Sequence, residues 1–520
     1  MPIRLDTVQR AVLACILILA VAAFTFLMSL LGGCAAGPDY VRPAVQTPAA
    51  YREAAKNGGK DWKQARPADL GGRGDWWACY DDPTLDSLVA RVAVSNQNVR
   101  QVEARYRQAK ALVREARASY FPTVTADGSA TRGKQSPGSA TATTYAVSGD
   151  VSWELDLWGA TRRSVESESA GAEASAADLA AELLSMQAEL VTDYFALRTI
   201  DLELDLYKRT VAAYERSLSI TRNQYNAGIV TRSDVASAET QLKSAQASAI
   251  DLEVDRRQYE HAIAVLMGQP PATFSLPPRL DALRVPDIPV GVPSELLERR
   301  PDIAAAERRA AAANAQIGVA MAAFFPTLTL SAGGGYQNDG LADLLSVPNR
   351  VWTLGPELAL TLFDGGLRAA KTDYARAAYD ETVAGYRQTV LDGFREVEDY
   401  LAALSVLARE QVVQNEAVSA AREAERLALD QYKAGTVDYV SVVSAQTQAL
   451  SSELTSVGLQ GRRIAASVSL IEALGGGWRA GGTKAPTANA GGNEADASAG
   501  KTAKDAAVAS RTTADAKTVE

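Results

Sequence analysis

The chain is 520 residues long, 47% hydrophobic and 22% charged, which suits a large folded protein and excludes wholesale disorder. With 53 basic against 62 acidic residues its formal charge is -9, so it lacks the basic field that nucleic acid demands of a partner. The cysteines, Cys15, Cys34 and Cys79, are too few for a disulfide framework, and the single histidine, His261, has no second ligand nearby, so no metal site is expected.

In chain order, Arg4 and Arg10 precede an apolar stretch from Ala11 to Leu31 that ends in Leu31-Gly32-Gly33-Cys34. This is the pattern of a lipoprotein signal peptide over 1–33, with a covalent lipid on Cys34 as the only attached group and no cofactor. An uncleaved anchor also needs about 20 apolar residues, but gives no reason for a cysteine directly after two glycines. Ala35 and Ala36 follow without an acidic residue, which for lipoproteins as a class points to the outer membrane. Residues 34–83 read as an extended N-terminal segment in which Trp76 and Trp77 are packing residues.

From there the chain is written twice, with a period of about 205 residues, far longer than a solenoid repeat. Phe121-Pro122-Thr123 returns as Phe325-Pro326-Thr327, Gly159 and Arg162 as Gly365 and Arg368, and Asp193-Tyr194 as Asp399-Tyr400. The run QYNAGIVTRSDVASAETQ from Gln224 matches QYKAGTVDYVSVVSAQTQ from Gln431 at ten of eighteen positions without a gap. The two repeats span 84–268 and 294–475, separated by a proline-rich connector at 269–293, and 476–520, composed largely of small and polar residues, reads as a disordered tail.

Each repeat predicts a helix, a β-hairpin and a long helical hairpin. Tyr145, Val147, Gly149, Val151, Trp153 and Leu155 alternate with Ala146, Ser148, Asp150, Ser152, Glu154 and Asp156, a period of two. Trp352, Leu354, Leu358, Leu360 and Leu362 share one parity in the second repeat, opposite Thr353, Glu357 and Thr361, and weaker strands are expected to start at Phe121 and Phe325. Beyond each hairpin the period becomes helical. Leu179, Leu183, Met186, Leu190, Tyr194 and Leu197 step by three or four residues, as do Val383, Tyr386, Val390, Phe394, Val397, Leu401 and Leu404. The proline-free stretch from Gly159 to Asn226 predicts a helix about 100 Å long. Pro301 and Asp302 are placed to open another helix, one at its first position and one against its dipole.

Strands with one apolar and one polar face are the pattern of a membrane barrel. Four per chain cannot close one, and an unpaired edge is not tolerated in a bilayer, so copies must pool their strands. Three copies give twelve strands and a wet interior, whereas two would leave a narrow, side-chain-filled one. The fold class is thus a mixed α/β membrane protein: a duplicated protomer, a twelve-stranded barrel as a homotrimer, and long periplasmic helical hairpins forming a helical barrel. Asp150, Glu154, Asp156 and Glu357 are expected to face the lumen and bias it toward cations. Trp153 and Trp352 are candidates for the membrane interface. The hairpin tips fall at Ala227-Gly228 and Ala434-Gly435, where glycine lets the chain turn back.

The run GVPSELLERRPDIAAAERRAAAANAQIGVAMAAFFPTLTLSAGGG from Gly291, with GPDYVRP after Cys34 and WELDLWG from Trp153, resembles the outer membrane factors of tripartite efflux systems, in particular the NodT-type lipoproteins that serve resistance-nodulation-division pumps. The resemblance covers nearly all of residues 34–475. It implies a trimeric channel in the outer membrane, a periplasmic membrane-fusion adaptor, an inner-membrane pump, and a periplasmic end closed until these engage. By the same resemblance Tyr225, Gly228, Asp234, Tyr432, Gly435 and Val437 are adaptor-contacting tip positions. Where many members carry leucine-aspartate-alanine-glutamine, this chain has Val443-Ser444-Ala445-Gln446, so the expected constriction involves Ser444, Val440, Tyr439 and Asp438 in place of an acidic ring. No phosphate loop, metal-ligand spacing or serine-histidine-acid set points to an enzyme. A channel for type I protein secretion and a non-conducting periplasmic scaffold share this architecture and stay open as alternatives.

Overall fold

In a computed structural model, residues 34–53, 74–134, 140–288, 293 and 296–476 are described. The signal peptide over 1–33 and all but the first residue of the 476–520 tail lie outside them. Two helices, α1 (Pro83–Ser95) and α2 (Gln97–Ala118), lead into strands β1 (Thr123–Gly133) and β2 (Ala142–Leu155). Helix α3 (Ala160–Asn226) and helix α4 (Arg232–Leu266) follow as a hairpin. The order then recurs: a short α5 (Leu296–Arg299), α6 (Pro301–Ala322), β3 (Thr327–Asn338), β4 (Arg350–Ala359), and the hairpin α7 (Leu367–Lys433) and α8 (Tyr439–Ala473).

The duplication is visible in lengths: α3 and α7 have 67 residues each, α4 and α8 have 35 each. At 1.5 Å per residue the longer pair runs about 100 Å, as the proline-free stretch predicts. Both tips turn at a glycine in the left-handed region, Gly228 at φ +72° and Gly435 at φ +74°, where a side chain would strain the backbone. Pro301 does open α6, with Asp302 in its first turn.

All four strands form one antiparallel sheet in the order β1-β2-β3-β4, so the central pairing of β2 with β3 joins the two repeats. β1 and β3 begin two residues later than Phe121 and Phe325. The amides of those phenylalanines still bond back to the preceding helical turns, at Ala118 and Ala322, and Pro122 and Pro326 have no N–H to give a ladder. β4 ends at Ala359, which leaves Leu360 and Leu362 beyond the sheet despite their matching parity.

The helical periodicity marks the core. Val383, Tyr386, Val390, Phe394, Val397 and Leu401 are all buried, and those from Tyr386 onward form one cluster with Tyr51, Leu296 and Ile303. Leu190, Tyr194 and Leu197 pack with Trp76, Trp77, Leu85, Val89 and Ile263 in another. At about 25 cal/mol per Å² of apolar surface, each fully buried aliphatic or aromatic side chain contributes about 1.5–3 kcal/mol, so these seams hold helices with few ends against solvent.

Candidate functional site

Register assigns each strand residue to a face of the sheet. Across the strands Thr125 pairs with Asp150, Asp150 with Gly333, and Gly333 with Thr353; nearer the helices, Glu154 pairs with Thr329 and Thr329 with Glu357. Thr123, Asp127, Ser148, Ser152 and Ser331 share that face by the period of two. The opposite face carries Val124, Val147, Val151, Trp153, Leu330, Trp352, Leu354 and Leu358, with Trp352 and Leu354 more than 70% exposed. Large apolar side chains left in the open along a whole sheet face mark a surface that another apolar phase covers. Asp150, Glu154 and Glu357 therefore lie together on the polar face, and Asp127 joins them.

Asp156 does not. It follows the last residue of β2, and its carboxylate accepts from the amides of Thr161 (3.0 Å) and Arg162 (2.8 Å), covering the free N–H groups that begin α3. Parity alone carried it into the strand; the Gly159 turn that ends the strand takes it out. Asp364 performs the same task before α7, accepting from the amides of Gly366 (3.0 Å) and Arg368 (3.2 Å).

The helix tips divide the sequence-derived tip residues into two groups. Tyr225, Gly228, Gly435, Asp438, Val440 and Ser444 are exposed. Tyr432 and Tyr439 are buried, at 3% and 2% exposure, with rings 5.2 Å apart and nearly edge to face, inside a cluster drawn from both hairpins: Tyr214, Leu218, Val235, Leu242 and Val442. Tyr432 also donates to Thr221 Oγ1 at 3.3 Å, and Val437 packs half-buried on the cluster. Tyr432 as a contact residue and Tyr439 as a lining residue are thus corrected to packing residues that join hairpin to hairpin. Burial raises the Tyr439 hydroxyl to about 12, helped by Tyr432 and Tyr214.

Asp234 serves a capping box with Thr231: the Thr231 hydroxyl accepts from the Asp234 amide while the Asp234 carboxylate takes the Thr231 amide at 2.8 Å. The equivalent turn of the second repeat has the roles exchanged. Asp438 is the N-cap of α8, accepting from the Ser441 amide at 3.1 Å and hydroxyl at 2.7 Å, and these bonds hold its carboxyl below the ordinary carboxylate range.

Between barrel and tips lies a polar network that the repeat motifs did not single out. Asp201 on α3, its side chain 1% exposed, accepts from Arg198 (2.9 Å), from Arg256 of α4 (2.7 Å) and from the connector amide of Arg279 (3.1 Å). Arg279 continues to Asp82 at 2.9 Å. Asp82 also caps α1 and takes the Tyr194 hydroxyl at 2.5 Å; burial opposes its ionisation, but these hydrogen bonds and Arg279 outweigh it and keep the carboxyl low. In the second repeat, Arg300 of the RRPD run pairs with Asp302 and Glu396, each at 2.6 Å, and donates to the Ala473 carbonyl at 3.2 Å. The Arg198/Asp201 spacing of three was the available sequence signal. Among the described residues no three His, Cys, Asp or Glu side chains come together as a metal site.

Just after Cys34 the chain is seated where strands give way to helices. The Ala36 amide donates to the Trp158 carbonyl at 2.9 Å, and the buried Arg163 guanidinium reaches the Ala36 carbonyl (3.3 Å), Asp39 (2.7 Å) and Glu166 (2.7 Å). Tyr40 then donates to Glu307 at 2.7 Å, and the amides of Arg52 and Glu53 to Glu398 at 2.7 and 3.0 Å.

A sheet with one polar and one apolar exposed face, carrying helical hairpins about 100 Å long, defines an outer-membrane channel protomer of the efflux type. The family model described as outer membrane efflux protein matches residues 88–269 and 292–476, and the chain belongs to that family. It is 31% identical over 472 residues to the toluene efflux pump outer membrane protein TtgC of Pseudomonas putida, covering 89% of this chain and 96% of that one. To the outer membrane protein OprJ of Pseudomonas aeruginosa it is 32% identical over 457 residues, covering 86% and 94%. The solved structure of the outer-membrane channel OprN superposes with a TM-score of 0.76 at 33% identity, covering 86% of this chain and 100% of that one.

Proposed function

We propose that three copies of this chain assemble into a duct through which an inner-membrane efflux pump, coupled by a periplasmic adaptor, discharges small molecules across the outer membrane. The observation that carries the reading is the sheet. Its strands, 10 to 14 residues long, match the length that crosses a bilayer, its two faces differ in polarity, and its outer strands β1 and β4 have no further partner strand among the described residues. The names of TtgC and its relatives support apolar toxic compounds, solvents and antibiotics, as the cargo class. In this reading Tyr225, Gly228 and Gly435, with Asp234 and Val437, are the surface offered to the adaptor, and Asp438, Val440 and Ser444 line a narrowing there.

Cys34 carries the lipid in this proposal. Two residues of chain reach at most about 7 Å, so the Ala36–Trp158 bond fixes the acyl chains at the foot of the barrel. The test is reconstitution of the mature protein in a planar bilayer with chemical cross-linking of the same sample. Discrete conductance from a cross-linked trimer is expected; a monomer silent under all voltages would replace the duct with a scaffold spanning the periplasm.

A further inference from the structure

On the polar face of the sheet, the space beside Gly333 is filled by a carboxylate. In the row Thr125–Asp150–Gly333–Thr353 every position but Gly333 has a side chain on the lumenal face. A Cβ built on Gly333 would overlap Asp150 Oδ1 and come within 3.1 Å of Thr353 Oγ1. The Asp150 side chain therefore lies sideways across the β3 backbone, in the space that the missing Cβ leaves. Its other oxygen, Oδ2, accepts from the Ser148 hydroxyl at 2.9 Å, on its own strand. Glu154 and Glu357 have no such place: Thr329 stands between them, and its branched side chain fills the wall.

The neighbouring glycine differs in kind. A Cβ on Gly335 would overlap the Val147 carbonyl and approach Ser148 Cα at 2.7 Å, so backbone itself blocks it and the glycine is needed for β2 and β3 to pair. At Gly333 the obstructing atom is the free end of a rotatable side chain, so an alanine there fits once the carboxylate leaves. Gly333 thus decides where Asp150 sits and not whether the strands pair.

The geometry points to Gly333 and Ser148 as positioning residues that keep the Asp150 carboxylate flat against the wall, which makes Asp150 a determinant of how wide and how acidic the conduit is at mid-barrel. The inference rests on the channel reading above. A carboxylate released from the recess has only the lumen to enter, because the sheet lies behind it and Ser152 and Thr353 flank it on the same face. Three released carboxylates in a confined aqueous path would attract multivalent cations more strongly than three held at its edge.

The experiment measures block of the reconstituted full-length channel by hexaamminecobalt(III), added on the side to which the strands open, which separates the barrel from the helix tips. Gly333→Ala is expected to lower the half-blocking concentration several-fold and to raise cation over anion permeability. Asp150→Ala should weaken block, and Asp150→Ala with Gly333→Ala should match Asp150→Ala alone. Ser148→Ala, which leaves the glycine in place, should shift block in the same direction as Gly333→Ala, and it carries the test if Gly333→Ala does not assemble. Block unchanged in these variants, or a Gly333→Ala effect that survives without Asp150, overturns the assignment while leaving the channel intact. A wild-type protein with no conductance at all would overturn the channel reading, and this assignment with it.

Discussion

Removing the Asp201 carboxylate should loosen the first hairpin and the connector together. In Asp201→Ala, Arg198 keeps the Pro277 carbonyl at 2.9 Å and its place over the Tyr194 ring, and Arg256 keeps the Leu276 carbonyl at 2.7 Å and Glu260 at 3.7 Å. Arg198 nevertheless loses its buried counter-charge, Arg256 loses the nearer of its two, and the Arg279 amide loses its acceptor. Breaking a buried ion pair from one side costs about 3–5 kcal/mol, because the remaining charge stays out of water. With an unfolding entropy of about 2.1 cal/mol/K per residue over roughly 410 described residues, that cost lowers the melting midpoint by about 3–6 °C. Thermal unfolding in detergent at a fixed scan rate reads the shift, and limited proteolysis should cut the connector near Leu276–Asp281 sooner than in the wild type. Asp201→Ala and Arg256→Met should be strongly non-additive, since they remove the same interaction. A midpoint within about 1 °C of wild type, or additive single effects, would refute the view that this network bolts the connector to α3 and α4.

Burial, with the nearby Glu189 carboxylate, raises the Asp193 carboxyl from 3.8 to about 6. The native state therefore holds this proton more tightly than the unfolded chain, a contribution fully present below pH 3.8 and lost as pH rises through about 6. Asp193→Asn should flatten the fall in melting midpoint between pH 4 and 7, as thermal scans at stepped pH will show. Gly335→Ala, placing a Cβ against the Val147 carbonyl, should abolish pairing of β2 with β3 and with it the trimer on a cross-linking gel. Tyr225→Ala should weaken capture of the purified adaptor without moving the melting midpoint. Tyr432→Ala should lower the midpoint, since burial of an aromatic side chain is lost at a cost of about 3–5 kcal/mol.

Much of this architecture is legible from periodicity because the forces that set it are local. The period of two in β2 fixes a polar and an apolar face, and the three-four spacing from Val383 to Leu401 fixes a buried seam. Glycine at the tips is forced by backbone sterics alone. What periodicity misses depends on which other element lies alongside. Tyr225 and Tyr432 fill the same slot of the repeated QY-AG motif, yet one is 42% exposed and the other 3%, because only Tyr432 lies against Thr221 and Tyr439. Asp156 has the parity of a strand residue, and only the turn that follows converts it to a helix cap.

The duplication itself separates structural from particular roles. Where both copies need the same local geometry, different residues supply it: Thr231 caps with Asp234 at the third position, and Asp438 caps with Ser441 there. The acid at Asp438 is thus explained by capping alone, and because it remains exposed and ionised, it also leaves a charge at the tip that Ser444 does not provide. Where the copies differ in the interior, geometry cannot be the reason. Arg256 of the first repeat corresponds to Arg463 of the second, but the level of Asp201 is taken there by Leu407 and Ala408, and Arg463 Nε finds no hydrogen-bond partner among the described residues. The first hairpin is therefore joined by buried charge across α3 and α4, whereas α7 and α8 are joined by Gln411 donating to Ser456 Oγ at 2.9 Å, by Gln414 donating to the Ser452 carbonyl at 2.8 Å, and by the more exposed Arg422–Glu453 pair.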